Sequence, residues 1–235
     1  MKKNLTIAAV AALTVLGSSE AFASKAGPYA GLQFGYVNAQ ANSDGKVTAS
    51  PDLPGFANRS FSRANFNDSS FLTEVLLGYL MDFSAAQAGV EAAIGFDTQK
   101  QKKNIAATNA NNVPSSAQLK LERKVASSIS LIAGTKVIGM FLFAKAGLGF
   151  SSYKTTYSTG NVSPKKTETF VSFVPAVGAE YPIVASLAVR GEVSYEIFQG
   201  KKVKKLTDSV TSISSDFKHK NLRALALKGG VVYHV

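Results

Sequence analysis

The sequence predicts an all-β fold, an eight-stranded antiparallel up-and-down transmembrane β-barrel, on three observations. First, apolar residues recur at every second position in about eight segments, the period of an extended strand. In Ala30-Gly31-Leu32-Gln33-Phe34-Gly35-Tyr36 the even positions are apolar and the odd ones are Gly, Gln and Gly. Second, the opposite face of these segments carries Glu74, Glu91, Lys145, Glu180, Arg190 and Glu192. A soluble barrel would fill its interior with Leu, Ile and Phe; charge inside and hydrocarbon outside make lipid the solvent. Third, the connections alternate long and short, as expected of extracellular loops and periplasmic turns.

Strand one is read as Tyr29 to Asn38, followed by a polar loop with Gly45, Pro51, Pro54 and Gly55. Strand two, Phe71 to Leu80, opposes Thr73, Val75, Leu77 and Tyr79 to Glu74, Leu76 and Gly78, and Met81-Asp82-Phe83-Ser84 reads as a tight turn. Strand three, Ala86 to Asp97, has the cleanest alternation: Ala88, Val90, Ala92, Ile94 and Phe96 against Gly89, Glu91, Ala93 and Gly95. An Asn- and Lys-rich loop from Gln99 to Ala117 precedes strand four, about Leu119 to Thr135, with Leu121, Val125, Ile129 and Leu131 outward. After a turn at Val137 to Gly139, strand five, Phe141 to Tyr153, sets Leu142, Ala144, Ala146, Leu148 and Phe150 against Lys145, Gly147, Gly149 and Ser151. A loop from Lys154 to about Lys166 leads into strand six, Phe170 to Tyr181, where Pro175 predicts a bulge. Pro182-Ile183-Val184-Ala185 turns into strand seven, Leu187 to Ile197, which opposes Leu187, Val189, Val193 and Tyr195 to Arg190, Glu192, Ser194 and Glu196. A lysine-rich loop follows, and strand eight runs from Leu222 to Val235.

The amino end reads as an export signal. Lys2 and Lys3 precede an apolar run from Leu5 to Leu16, and Ala21 and Ala23 are small residues at the positions a signal peptidase reads. The expected organisation is a cleaved signal over 1–23 and a single barrel domain over 24–235. That run is too short to span a bilayer, and no later segment offers the roughly 20 unbroken apolar residues a spanning helix needs. Export followed by lipid-facing strands points to the outer membrane of a Gram-negative-type bacterium. Cysteine is absent, which excludes disulfides and thiolate chemistry. Roughly 210 mature residues suit one eight-stranded barrel and are too few for a 16-stranded porin. The net charge is +11; loss of Lys2, Lys3 and Glu20 with the signal leaves +10.

The chain resembles the small outer-membrane β-barrel proteins of the opacity, OmpA and OmpX type, often grouped as a porin family. Four stretches carry the resemblance: Gly27-Pro28-Tyr29-Ala30-Gly31, Phe143-Ala144-Lys145-Ala146-Gly147-Leu148-Gly149, Pro175-Ala176-Val177-Gly178-Ala179-Glu180-Tyr181 and Leu187-Ala188-Val189-Arg190-Gly191-Glu192-Val193-Ser194-Tyr195. It implies a monomeric barrel delivered by periplasmic chaperones and inserted by the barrel-assembly machinery. Such proteins usually end on an aromatic residue; here the end is Tyr233-His234-Val235.

Two groups of residues are candidates for function. In the lumen, Glu74, Glu91, Glu180, Glu192 and Glu196 are expected to face Lys120, Lys124, Lys145, Arg190 and Lys228. An eight-stranded lumen is just wide enough for side chains, so these groups read as a paired plug rather than a solute path or a proton-transfer site. Outside, Lys100, Lys102, Lys103, Lys154, Lys165, Lys166, Lys201, Lys202, Lys204, Lys205, Lys218 and Lys220 fall in or beside the long loops and make the rim cationic. They can neutralise lipopolysaccharide phosphates, or contact an anionic host or extracellular polymer such as heparan sulfate or DNA. Specific nucleic-acid recognition is not expected, because the basic runs lack interleaved aromatic platforms. Phe56, Phe61 and Phe66 with Arg59 and Arg63 form one mixed stretch, read as packing on the rim.

Catalysis finds no motif. His219 follows Asp216 in a basic loop end near Ser212, Ser214 and Ser215, and His234 is penultimate; both read as solvated polar residues without a motif-spaced nucleophile. No His, Cys or carboxylate cluster has metal-ligand spacing, and no cofactor is implied. The sequence therefore predicts a non-enzymatic outer-membrane barrel with a structural, adhesive or envelope-integrity role, in contact with lipid and lipopolysaccharide. A low-conductance porin, a lipid-A-modifying enzyme and a soluble periplasmic ligand-binding barrel are the alternatives.

Overall fold

The computed structural model describes residues 26–48, 59–84, 86–97, 99–108, 114–159, 165–199, 201–207 and 214–235; the signal segment 1–23 and Phe56 lie outside them. Ten extended segments follow one another: β1 (Gly27–Thr48), β2 (Arg59–Phe83), β3 (Ala86–Asp97), β4 (Lys100–Thr108), β5 (Pro114–Val137), β6 (Met140–Thr159), β7 (Lys165–Val184), β8 (Leu187–Phe198), β9 (Lys201–Thr207) and β10 (Ser214–His234). All pairings are antiparallel. The order β1-β2-β3-β5-β6-β7-β8-β10 closes on itself through β1–β10, from Tyr29↔His234 up to Thr48↔Ser214. β3 and β4 pair successive stretches of β5, and β8 and β9 successive stretches of β10, so each couple is one barrel strand. The result is the predicted eight-stranded up-and-down ring, which leaves no unpaired edge for lipid to face.

The strands are far longer than the membrane requires. At about 3.3 Å per residue the 25 residues of β2 run about 80 Å, whereas about 9–11 residues cross a bilayer. Much of what the sequence read as loop is strand: Lys100 to Thr108 pairs with Pro114 to Glu122, and the stretch 39–48 continues β1. The backbone ladder persists above the lipid because its hydrogen bonds do not depend on side-chain polarity. Lys100, Lys102 and Asn104 stand exposed on one face of β4, so the apolar face that betrays a lipid-facing strand is missing there.

The connections at Ser84, at 138–139 and at 185–186 share one rim with both ends of the barrel chain, where the Val235 amide donates to the Pro28 carbonyl. Met81 to Phe83 belongs to β2 and not to a turn. Ile138 and Gly139 both have positive φ, 47° and 75°, the signature of a type I′ hairpin turn.

Outward faces are apolar. Phe34, Leu77, Ile94, Ile129, Leu131, Leu148, Val177 and Leu227 all stand exposed around the ring, edged by Tyr36, Phe71, Phe96, Phe150 and Phe173 on one side and by Tyr79, Phe83 and Tyr233 on the turn side. This band and its aromatic girdles set aside the soluble ligand-binding barrel. Two elements depart from the sequence reading. The β5–β6 register slips between Arg123 and Val125, so Leu121 points inward and is buried instead of facing lipid. At Pro175 the β7–β8 ladder is interrupted without a bulge: Phe173↔Ile197 and Ala176↔Ser194 keep one register, and the shift lies at Pro182/Val184.

Candidate functional site

The inward positions of alternate strands converge on a lumen with distinct layers. At the turn side, Leu76, Leu80, Ile132, Phe141, Phe143 and Val232 form a buried apolar floor with Tyr29. The Tyr29 ring lies over Gly78, where any Cβ would collide with it, so glycine is needed there for a lumen side chain to cross to the neighbouring strand.

Above the floor lies a charge cluster centred on Arg190, whose guanidinium is fully enclosed. Its Nη1 is 2.7 Å from Glu91 and 3.3 Å from Glu180, its Nη2 is 3.3 Å from Glu192, and the Phe143 ring lies 4.3 Å beneath it. Lys145 bridges Glu91 and Glu192 at 2.7 and 2.5 Å, and Lys228 bridges Glu74 and Glu192 at 2.9 and 2.7 Å. Tyr29 Oη donates to Glu91 at 2.9 Å. His234 is buried, its Nε2 3.2 Å from Glu180 and its ring 5.4 Å from that of Tyr29. This corrects the expectation of a solvated histidine: His234 shares the inward phase of Val232 and Lys228, and its amide bonds the Ser186 carbonyl at the rim. One network thus joins β1, β2, β3, β6, β7, β8 and β10 across the barrel.

A cavity of about 50 Å³ separates this cluster from a second; Glu74, Lys228, Arg123, Glu196, Ser194, Val37 and Leu72 are among its lining. At about 10–15 Å³ per water it holds only a few. In the upper cluster Arg123 Nη2 contacts Glu196 and Ser151, each at 2.7 Å, and its Nη1 lies 3.8 Å from Asp97. Ser151 and Ser172 donate to Glu196, and Ser70 and the Gln99 amide donate to Asp97. Tyr153 and Phe198 flank the guanidinium at 5.9 Å each.

 Eight of the ten sequence-predicted lumen residues are buried: Glu74, Glu91, Lys145, Glu180, Arg190, Glu192, Glu196 and Lys228. Lys120 and Lys124 stand instead at the upper rim, with side chains 28% and 50% exposed, both paired to Glu122. The register slip puts Lys124 in the bulge and turns Arg123 inward in its place. Arg123 is the residue that sequence reasoning missed, because a bulge inverts the phase of every position beyond it. Tyr29 and Asp97 were legible: both share the inward phase of Gln33 and Glu91.

At the rim, above the apolar band, Glu122 is ringed by lysines. The hydrogen bond from Lys120, with Lys124 and Lys154 nearby, holds its carboxyl below the ordinary carboxylate value. Lys100 pairs Glu122 in the ladder and Lys102 pairs Lys120, both with exposed side chains. Lys165 is exposed, and Lys166 lies 2.8 Å from Glu168. Lys103 falls on β4; Lys201, Lys202, Lys204 and Lys205 fall on β9; Lys202 stands opposite Lys218 in the ladder, and Lys201 opposite His219.

Over residues 8–234 the sequence matches the family described as the outer membrane protein beta-barrel domain. No curated protein matches it. Among solved structures, the outer membrane protease OmpT of Escherichia coli aligns with a TM-score of 0.54 at 8% identity, covering 89% of this chain and 97% of OmpT. The outer membrane protein OprG of Pseudomonas aeruginosa aligns with a TM-score of 0.54 at 10% identity, covering 92% of this chain and all of OprG, 100%. At such identities the likeness is one of fold.

Proposed function

Because this chain belongs to the outer membrane protein beta-barrel domain family and resides in the bacterial outer membrane, we propose that it is a non-catalytic surface protein whose plugged barrel presents a cationic rim to anionic polymers. The observation that carries this reading is the facing of like charges in the rim ladder. Lys102 stands directly opposite Lys120, and Lys202 opposite Lys218. Like charges directly opposite each other destabilise a sheet by about 0.2–1 kcal/mol, a cost that a bound polyanion offsets. Sulfated polysaccharide and lipopolysaccharide phosphate both supply such charge. The apolar floor and the two ion clusters support a plug over a solute path, since a path would require unpairing buried charge.

The test uses barrel refolded in detergent and applied to heparin resin. The triple variant Lys100→Gln, Lys102→Gln, Lys120→Gln is expected to elute at clearly lower salt than the wild type, while boiled and unboiled samples still migrate differently on a cold denaturing gel. Elution of both proteins at the same salt would remove the reading.

A further inference from the structure

The outer face of β2, β1 and β10 changes character abruptly where the apolar band ends. Tyr36 and Phe71, 50% and 73% exposed, meet edge to face with ring centroids 6.3 Å apart, and Leu225 and Leu227 continue the shelf on β10. One step higher in the ladder, Asn38 faces Ser69 on one side and Leu225 on the other; above it Gln40 faces Asn67 and Arg223. Asn38 Nδ2 donates to Ser69 Oγ at 3.1 Å. Arg223 Nε and Nη2 donate to Gln40 Oε1 at 3.2 and 2.9 Å. A guanidinium can only donate, so this pair fixes the Gln40 amide with its NH₂ group turned away from Arg223.

Arg223 is exposed and has no ion-pair partner among the described residues. Its Nη1, the Gln40 and Asn67 amides and the Ser69 hydroxyl form a donor-rich row, beside which the Asp68 carboxylate accepts from the Ser69 backbone amide at 2.9 Å. An arginine held by a neutral amide keeps its full charge for an external anion, and its planar fork suits phosphate. The shelf beneath it belongs to the lipid-facing band, which places the anion on a lipid of the outer leaflet.

We propose that Arg223, Gln40, Asn38 and Ser69 form a seat for the phosphorylated headgroup of an outer-leaflet glycolipid, with Tyr36, Phe71 and Leu225 receiving its acyl chains. The seat rests on the outer-membrane placement and on lipopolysaccharide as the surrounding lipid, and not on the polymer-binding reading, so the two fail separately.

The test is native mass spectrometry of the refolded barrel in mixed micelles containing either bisphosphorylated lipid A or its dephosphorylated form. The wild type should retain the phosphorylated lipid, and Arg223→Gln should lower that retention about tenfold, roughly the loss of one charge-assisted contact. Gln40→Glu provides a second variant: it gives Arg223 an internal carboxylate partner of the same shape, so the barrel folds while the seat loses its free charge. Neither variant should alter elution from heparin. Wild-type retention by both variants would overturn the seat, as would equal retention of the dephosphorylated lipid. Displacement by excess inorganic phosphate alone would overturn the lipid as the source of the anion.

Discussion

Arg190 shows how a buried ion is made tolerable inside an eight-stranded lumen. Three carboxylates, Glu91, Glu180 and Glu192, lie within 3.3 Å of its guanidinium, and Phe143 covers one face. Removing one member of such a network strands the others: loss of a buried partner typically costs about 3–5 kcal/mol. Arg190→Met is therefore expected to destabilise the refolded barrel by about that amount, seen as a lower urea midpoint in lipid vesicles. A shift of under about 1 kcal/mol would mean that Lys145 and Lys228 already neutralise the cluster. The two arginines differ in how visible they are. Arg190 follows the two-residue period of its strand, whereas Arg123 enters the lumen only because the bulge at Lys124 inverts the phase.

At the scale of the element, the turns and the bulge hold the instructive departures. Ile138 is a β-branched residue held at φ 47° beside Gly139, a conformation that favours Asn or Gly. It is 91% exposed, so little packing compensates the strain. Ile138→Asn creates the preferred Asn-Gly pair of a type I′ turn and is expected to stabilise the barrel by about 1 kcal/mol, measured as a raised unfolding midpoint. An unchanged or lowered midpoint would show that Ile138 serves the adjoining lipid interface. The strand ends also escaped the sequence, for a related reason. In Lys100 to Thr108, which pairs with Pro114 to Glu122, one face carries the exposed Lys100, Lys102 and Asn104 where a lipid-facing strand would be apolar, so the sequence offers no amphipathic period of two to read.

For the whole molecule, the apolar floor and the two ion clusters fill the described lumen on either side of a cavity of about 50 Å³, and a solute path through them would require unpairing buried charge. Wild-type barrel in planar bilayers is therefore expected to give no steady single-channel current. A stable current would show that the plug rearranges in the membrane and would return the low-conductance pore to the leading place. Closure itself rests on the pairing of β1 with β10, sealed at the turn side by the Val235 amide on Pro28 and by His234 against Glu180 and Tyr29.

By itself the sequence determined the class of the fold, the number and order of the barrel strands, the face each presents to lipid except beyond the slip that turns Leu121 inward, and most of the charges in the lumen. A strict period of two, with charge on one face and hydrocarbon on the other, has a single physical solution when the surrounding solvent is lipid: a closed ring. Only the tertiary structure decided which cation pairs with which carboxylate, where the register slips, that His234 is buried, and that the rim lysines face one another. Those features depend on pairings between residues as far apart as Tyr29 and His234, and on a one-residue bulge that no local pattern announces.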